Sequence, residues 1–207
     1  MAGLCSAEGM RELARLCGRA LALALVSTPL AAAPAATPDV AELASRTFLL
    51  SCVAYAGDYP SLRAHLEPGQ DLALPRLPAE AARPYLRGQE GDAWVRTDAG
   101  LVLALLQPDE SCVVFVRKVA TEKLYRRLET DLRAGLGASF TVRAAGDETR
   151  QGMRSRAFDL IPAGSYREGL KRQLGSEPPG ARVVLTTANG TNPDLQAILT
   201  IGTRPPP

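Results

Sequence analysis

Histidine occurs once in the 207 residues, as His65, and tryptophan once, as Trp94; lysine is limited to Lys118, Lys123 and Lys171, and aromatic residues to 5%. Two cysteines and one histidine beyond residue 35 cannot complete a four-ligand zinc site without carboxylates whose placement nothing in the sequence indicates. No Cys-x-x-Cys pair is present to depress a thiol pKa. No serine sits in a Gly-x-Ser-x-Gly turn, the strained setting of many nucleophilic serines. Gly135-x-Gly137 is too short for a phosphate loop and reads as a helix C-cap followed by a turn. No cofactor or metal is expected, and no catalytic residue stands out. Lysine and arginine do not gather beside an amphipathic anchor, which argues against an anionic membrane surface as partner.

What is present is an address. Arg11, Arg15 and Arg19 precede an uncharged run from Ala20 to Ala36 that ends in small residues, the pattern of a secretory signal peptide. The run is shorter than the about 20 residues of a spanning helix and is broken by Pro29. Ala33-Pro34-Ala35 presents small residues to a signal peptidase, which places cleavage after Ala35 and divides the chain into a signal peptide, 1–35, and one domain, 36–207. Met10 opens a tidier signal than Met1, so either can be the true start. Cys5 and Cys17 lie upstream of the apolar run, which argues against a lipid anchor. Arginine far outnumbers lysine in a chain rich in Ala, Leu, Pro and Gly, a bias of GC-rich bacterial genomes. The expected location is therefore periplasmic or secreted, and the Asn189-Gly190-Thr191 sequon carries little weight.

Without Arg11, Arg15, Arg19, Glu8 and Glu12, the 24 basic and 22 acidic residues become 21 and 20. Such balance gives no electrostatic footprint for nucleic acid. A domain of this size buries about 70% of its unfolded surface and can fold without covalent help. Cys52 and Cys112 nonetheless pair most simply as a disulfide in an oxidising compartment.

Along the mature chain, Thr37 is read as the N-cap of a helix that carries Val40, Leu43, Phe48, Cys52 and Tyr55 on one face and ends at Gly57 and Pro60. A short helix is expected from Ser61 to Leu66. A Pro-rich, mobile segment follows, with one helical turn near Ala79 to Arg87. Strands at Ala93 to Thr97, Leu101 to Leu106 and Cys112 to Lys118, with turns at Asp98-Ala99-Gly100 and Pro108-Asp109-Glu110, read as an antiparallel meander. Thr121 is expected to cap a helix from Glu122 to Leu136. Strands at Phe140 to Ala144 and Ser155 to Ile161, a helix at Tyr166 to Leu174, and a hairpin of Arg182 to Ala188 with Gln196 to Ile201 complete the reading. The class is α+β, a mostly antiparallel sheet with helices packed on one face, in a single domain.

Three segments together carry a resemblance: Phe48-x-x-x-Cys52, the meander from Gly91-x-Ala93-Trp94 to Ser111-Cys112-x-Val114-Phe115, and Val184-Leu185-Thr186-Thr187 followed by Gln196-Ala197-x-Leu199. In order and spacing they resemble an uncharacterised family of proteobacterial secreted proteins and lipoproteins. The resemblance implies an exported single-domain protein with no assigned activity, whose two cysteines form a matched pair. The chain departs from lipidated members in lacking a cysteine at the cleavage site.

For chemistry, His65 has Asp58 and Asp71 close in sequence, Glu90 and Asp92 could act as a carboxylate pair on a glycosidic bond, and Trp94 could stack on a ring. The plainer readings are a partly exposed histidine, solvated turn acids and a core tryptophan. Arg126-Arg127 and Arg154-x-Arg156 could meet an anion, although Glu122, Glu129 and Asp131 at neighbouring helical positions favour a salt-bridged face. The expected function is non-enzymatic: binding of an envelope protein or component through the sheet surface or Pro-rich segment. The alternative is a small periplasmic hydrolase acting on cell wall or ester substrates through His65 or the carboxylates.

Overall fold

A computed structural model describes residues 39–107, 111–188 and 195–204, all within one compact unit, Thr37–Pro207. The expected signal peptide with Met10 and its expected cleavage site, Thr37, the turn expected at Pro108-Asp109-Glu110 and Asn189 lie outside the described residues. Helix α1 (Val40–Phe48) begins where Asp39 accepts a hydrogen bond from the Ala41 N–H at 3.1 Å. The cap is therefore Asp39 rather than Thr37, because an aspartate in extended backbone satisfies an orphan N–H and adds negative charge at the helix start. The helix continues as a π-helical stretch, Leu49–Val53, which keeps Cys52 fully buried.

Helix α2 (Tyr59–Leu66) and helix α3 (Ala79–Leu86) precede a seven-stranded sheet. Its strands are β1 (Glu90–Arg96), β2 (Leu101–Gln107), β3 (Ser111–Val116), β4 (Phe140–Arg150), β5 (Met153–Pro162), β6 (Ala181–Ala188) and β7 (Ala197–Thr203). They lie in the order β1-β2-β3-β7-β6-β5-β4, every pair antiparallel. Two meanders thus meet where β7 pairs with β3. Helix α4 (Thr121–Leu136) carries the chain from the middle of the sheet to its far edge, and helix α5 (Gly164–Leu174) links β5 to β6. At α4, Ala120 occupies the capping position and Thr121 is already helical, so the expected Thr121 cap is displaced by one residue.

Alternation along the strands separates two faces. Trp94, Leu103, Leu105, Cys112, Val114, Phe158, Val183, Leu185 and Leu199 join α1, α2 and α4 in one core. Helix α4 contributes Leu124, Leu128 and Leu132, all fully buried, and truncating any one to alanine removes about 2–5 kcal/mol. Ala93, Val102, Ala104, Val113 and Phe115 point the other way and form a smaller core with Ala82 of α3. The expected α+β class is the one adopted. Its main helical layer lies on one face, and α3 adds a second cover over β1, β2 and β3.

The Pro-rich segment, expected to be mobile, is tied to the outer edge of β1. Val95 donates to the Pro75 carbonyl and Leu77 to the Ala93 carbonyl, both at 2.8 Å. Proline has no N–H to donate, so Pro75 serves this edge as an acceptor and leaves no open strand behind it. Gly91, the second residue of β1, lies against the Leu105 carbonyl, with which any Cβ would collide. The β4–β5 hairpin runs six residues further along β4 than expected, turning at Gln151 (φ 51°) and Gly152 (φ 77°). Positive φ at two central residues suits the right-handed twist of a hairpin. Asp147, Glu148 and Arg150 lack the apolar alternation that marks a strand, and a bulge between Ala144 and Gly146 shifts the register.

Cys52 and Cys112 form a disulfide that joins the π-helical stretch to β3, 60 residues apart, with Cα atoms 5.3 Å apart. Closing a loop of that length restricts the unfolded chain by about 4 kcal/mol. Urea unfolding of Cys52→Ala/Cys112→Ala should show a loss of about that size, identical in the presence and absence of reductant, whereas the parent chain weakens only with reductant.

Candidate functional site

The residues singled out for chemistry do not assemble into a catalytic set. His65, on α2, meets the ring of Tyr55 at 5.4 Å, and none of the described hydrogen bonds joins it to a serine or carboxylate. Asp92 receives Arg63 Nε on one carboxylate oxygen at 3.1 Å and Arg76 on the other, so both oxygens are committed to holding α2 and the Pro-rich segment against β1. Glu90, two residues away, is exposed at the strand end. Trp94 is 1% exposed and belongs to the main core, which removes its face from stacking on a ligand.

Of the two arginine pairs, Arg127, Arg154 and Arg156 are engaged with carboxylates, and Arg126 is in no described ion pair. Arg156 is buried, with its guanidinium 4.0 Å from the Tyr125 ring centroid and both terminal nitrogens on Glu122. Arg154 makes a two-pronged contact with Asp147 at 2.7 and 2.6 Å and reaches Glu122 at 3.1 Å. Hydrogen bonds from Arg156 hold Glu122 below the usual carboxylate range, and those from Arg154 do the same for Asp147. Arg127 is held by Asp131 at 2.8 Å and Glu42 at 3.4 Å. This network joins α4 to the β4–β5 hairpin, and planar guanidinium geometry is what permits its paired contacts.

The largest described cavity lies elsewhere, between α3 and the second face of the sheet. It is an open cleft of about 650 Å³ lined by Leu77, Pro84, Val95, Val102, Phe115 and Leu195, among others. The volume falls within the about 300–1,000 Å³ of small-ligand sites. Local sequence explains its shape: Ala81 and Ala82 keep the near side of α3 small, while Tyr85 leans onto Phe115 with ring centroids 5.2 Å apart. Arg117, just past β3, donates to the Tyr85 hydroxyl at 2.8 Å. Arg87, at the C-cap of α3, holds φ 50°, the left-handed region where glycine is the ordinary choice. Both arginines are exposed, both line the cleft, and among its described lining residues there is no carboxylate.

Two smaller cavities, of about 290 and 320 Å³, flank α1 and the Pro-rich segment. The first mixes Arg46 and Arg96 with Asp71, and the second lies over the edge of Trp94. Tyr85, Arg87, Arg117 and Leu195 were not singled out by sequence reasoning. The available signal was Leu101–Leu106 and Cys112–Val116, uninterrupted apolar runs that imply strands covered on both faces. No family model matches the chain, and no match is found among curated proteins or solved structures. Among the described residues no group of three or more His, Cys, Asp or Glu side chains is placed to hold a metal ion, and no helix is long and apolar enough to cross a membrane.

Asp159 supplies a pH test of the electrostatics on the same face of the sheet. Arg182 Nε lies 2.7 Å and Arg204 Nε 3.0 Å from its oxygens, and the Arg182 hydrogen bond is the main reason its carboxyl titrates below the ordinary aspartate value. A depressed folded pKa stabilises the fold above the unfolded aspartate value of about 3.9, and that stability is lost as pH falls through the lower folded value. Urea midpoints measured from neutral pH downwards should drop across that window for the parent chain, and Asp159→Asn should be weaker at neutral pH and show a shallower drop.

Proposed function

We propose that this is an exported binding or accessory protein of the bacterial envelope, periplasmic or secreted and non-enzymatic, kin to the secreted proteins its motifs resemble, and that the cleft under α3 is where it binds. The observation that carries the reading is the cleft itself: an apolar concavity with a few polar groups at its margin and, among its described lining residues, no histidine, serine–base pair or carboxylate pair. The disulfide supports the compartment, since such bridges persist where the surroundings are oxidising. The commitment of Asp92 to two arginines argues against a hydrolase built on Glu90 and Asp92.

Expression of the full chain in a bacterium tests the address. The periplasmic fraction should contain a species with the mass of residues 36–207 and no free thiol until reductant is added. Retention in the cytoplasm, or two free thiols there, would sink the compartment and the reading built on it.

The binding half is tested with the uncharged apolar dye Nile red. Its fluorescence should rise and shift to the blue with the parent protein, and Ala81→Trp, which fills the cleft from the exposed side of α3, should abolish this without lowering thermal stability. An ester hydrolysis that disappears in His65→Ala would overturn the non-enzymatic reading.

A further inference from the structure

The chemistry of the cleft margin selects among apolar ligands, and we propose that the cleft takes a single-chain amphiphile with a carboxylate head, its tail against Val95, Val102, Phe115 and Leu195 and its head met by Arg87 and Arg117. This rests on the cleft being the binding site. Charge complementarity is the first support. Among the described residues every charged side chain lining the cleft is an arginine, and neither Arg87 nor Arg117 is in an ion pair, although Asp92, Glu122, Asp147 and Asp159 each hold at least two arginines. Arg46, Arg126, Arg143 and Arg172 also stand outside the described ion pairs; what sets Arg87 and Arg117 apart is that both lie at the margin of one apolar cavity, where they offer a site for an external carboxylate.

The second support is geometric. Arg117 gives one N–H to the Tyr85 hydroxyl, which fixes the guanidinium against the cleft wall and leaves further donors of its five for a ligand. Arg87 keeps a long cationic side chain where the backbone is left-handed and the next residue, Gly88, is left-handed as well. Backbone conformations that a side chain adopts only at a cost concentrate at functional positions. Glycine at 87 would remove that cost, so the residue that suits the backbone and the residue that suits an anion differ, and their effects can be separated by measurement.

Isothermal titration of the full mature protein with octanoate, decanoate and dodecanoate, below their micellar concentrations, should give one site per chain. Affinity should rise about fourfold for each methylene added, the value for withdrawing one such group from water. Decyltrimethylammonium, with the same tail and the opposite charge, should bind at least tenfold more weakly than decanoate. Arg117→Ala should weaken decanoate severalfold, and Arg87→Gly should do so while leaving the thermal midpoint equal or higher. Equal binding of the anion and the cation, or unchanged decanoate affinity in both arginine variants, would overturn the carboxylate proposal; Nile red binding that is still abolished by Ala81→Trp would then leave the cleft standing as an apolar site. Failure of decanoate and Nile red alike to bind the parent protein would overturn both readings.

Discussion

The bond between Cys52 and Cys112 holds the helical layer to the strand around which both halves of the molecule are arranged. On one face, β3 carries Cys112, Val114 and Val116 into the core shared with α1 and α4, and on the other it carries Val113 and Phe115 toward α3. Its two neighbours, β2 and β7, belong to different meanders. Fixing β3 against the π-helical stretch therefore orients the first helix over the seam between them. The Phe115 ring, and with it the floor of the cleft, inherits its position from a bond made on the opposite side of the sheet.

Charge is used locally rather than globally. The chain is nearly neutral, with 24 basic and 22 acidic residues, yet many of its arginines stand in clusters around single carboxylates: two on Asp92, two on Glu122, two on Asp147, two on Asp159. A guanidinium is planar, always charged and offers a fork of donors, which lets one carboxylate bind elements from different parts of the chain. Asp92 joins α2 and the Pro-rich segment to β1, and Asp159 joins β5 to β6 and to Arg204 beyond β7. Most such exposed pairs contribute little individually to stability. Their effect is to specify neighbours, and among the described residues Arg87 and Arg117 at the cleft margin belong to none of these clusters.

How far the fold could be read from the residues depended on whether packing or backbone chemistry decided each element. The α4 stripe of Leu124, Leu128 and Leu132, the burial of Cys52 and the β1–β3 meander followed from apolar spacing, and the structure has all three. The far half of the β4–β5 hairpin was not legible, because its residues face solvent and only the Gln151-Gly152 turn marks it. The Pro-rich segment was misread because its order comes from backbone carbonyls accepting from β1, a bond that composition does not reveal. The cleft was hidden for a different reason. Its parts, Tyr85, Arg87, Arg117 and Leu195, are scattered over more than a hundred residues and are brought together only by α3 folding back over the sheet.

The position of β7 has a consequence for the order of events in time. Ala197–Thr203 comes last in sequence among the described strands, yet it lies in the middle of the sheet, with β3 on one side and β6 on the other. Without β7 the first meander and the β4–β6 meander would be two separate ladders, each with an unpaired inner edge, at β3 and at β6. Pairings of such long sequence separation are slow to form. The sheet is therefore closed from its centre line: β7 acts as the clasp that joins two meanders which otherwise share no strand pairing.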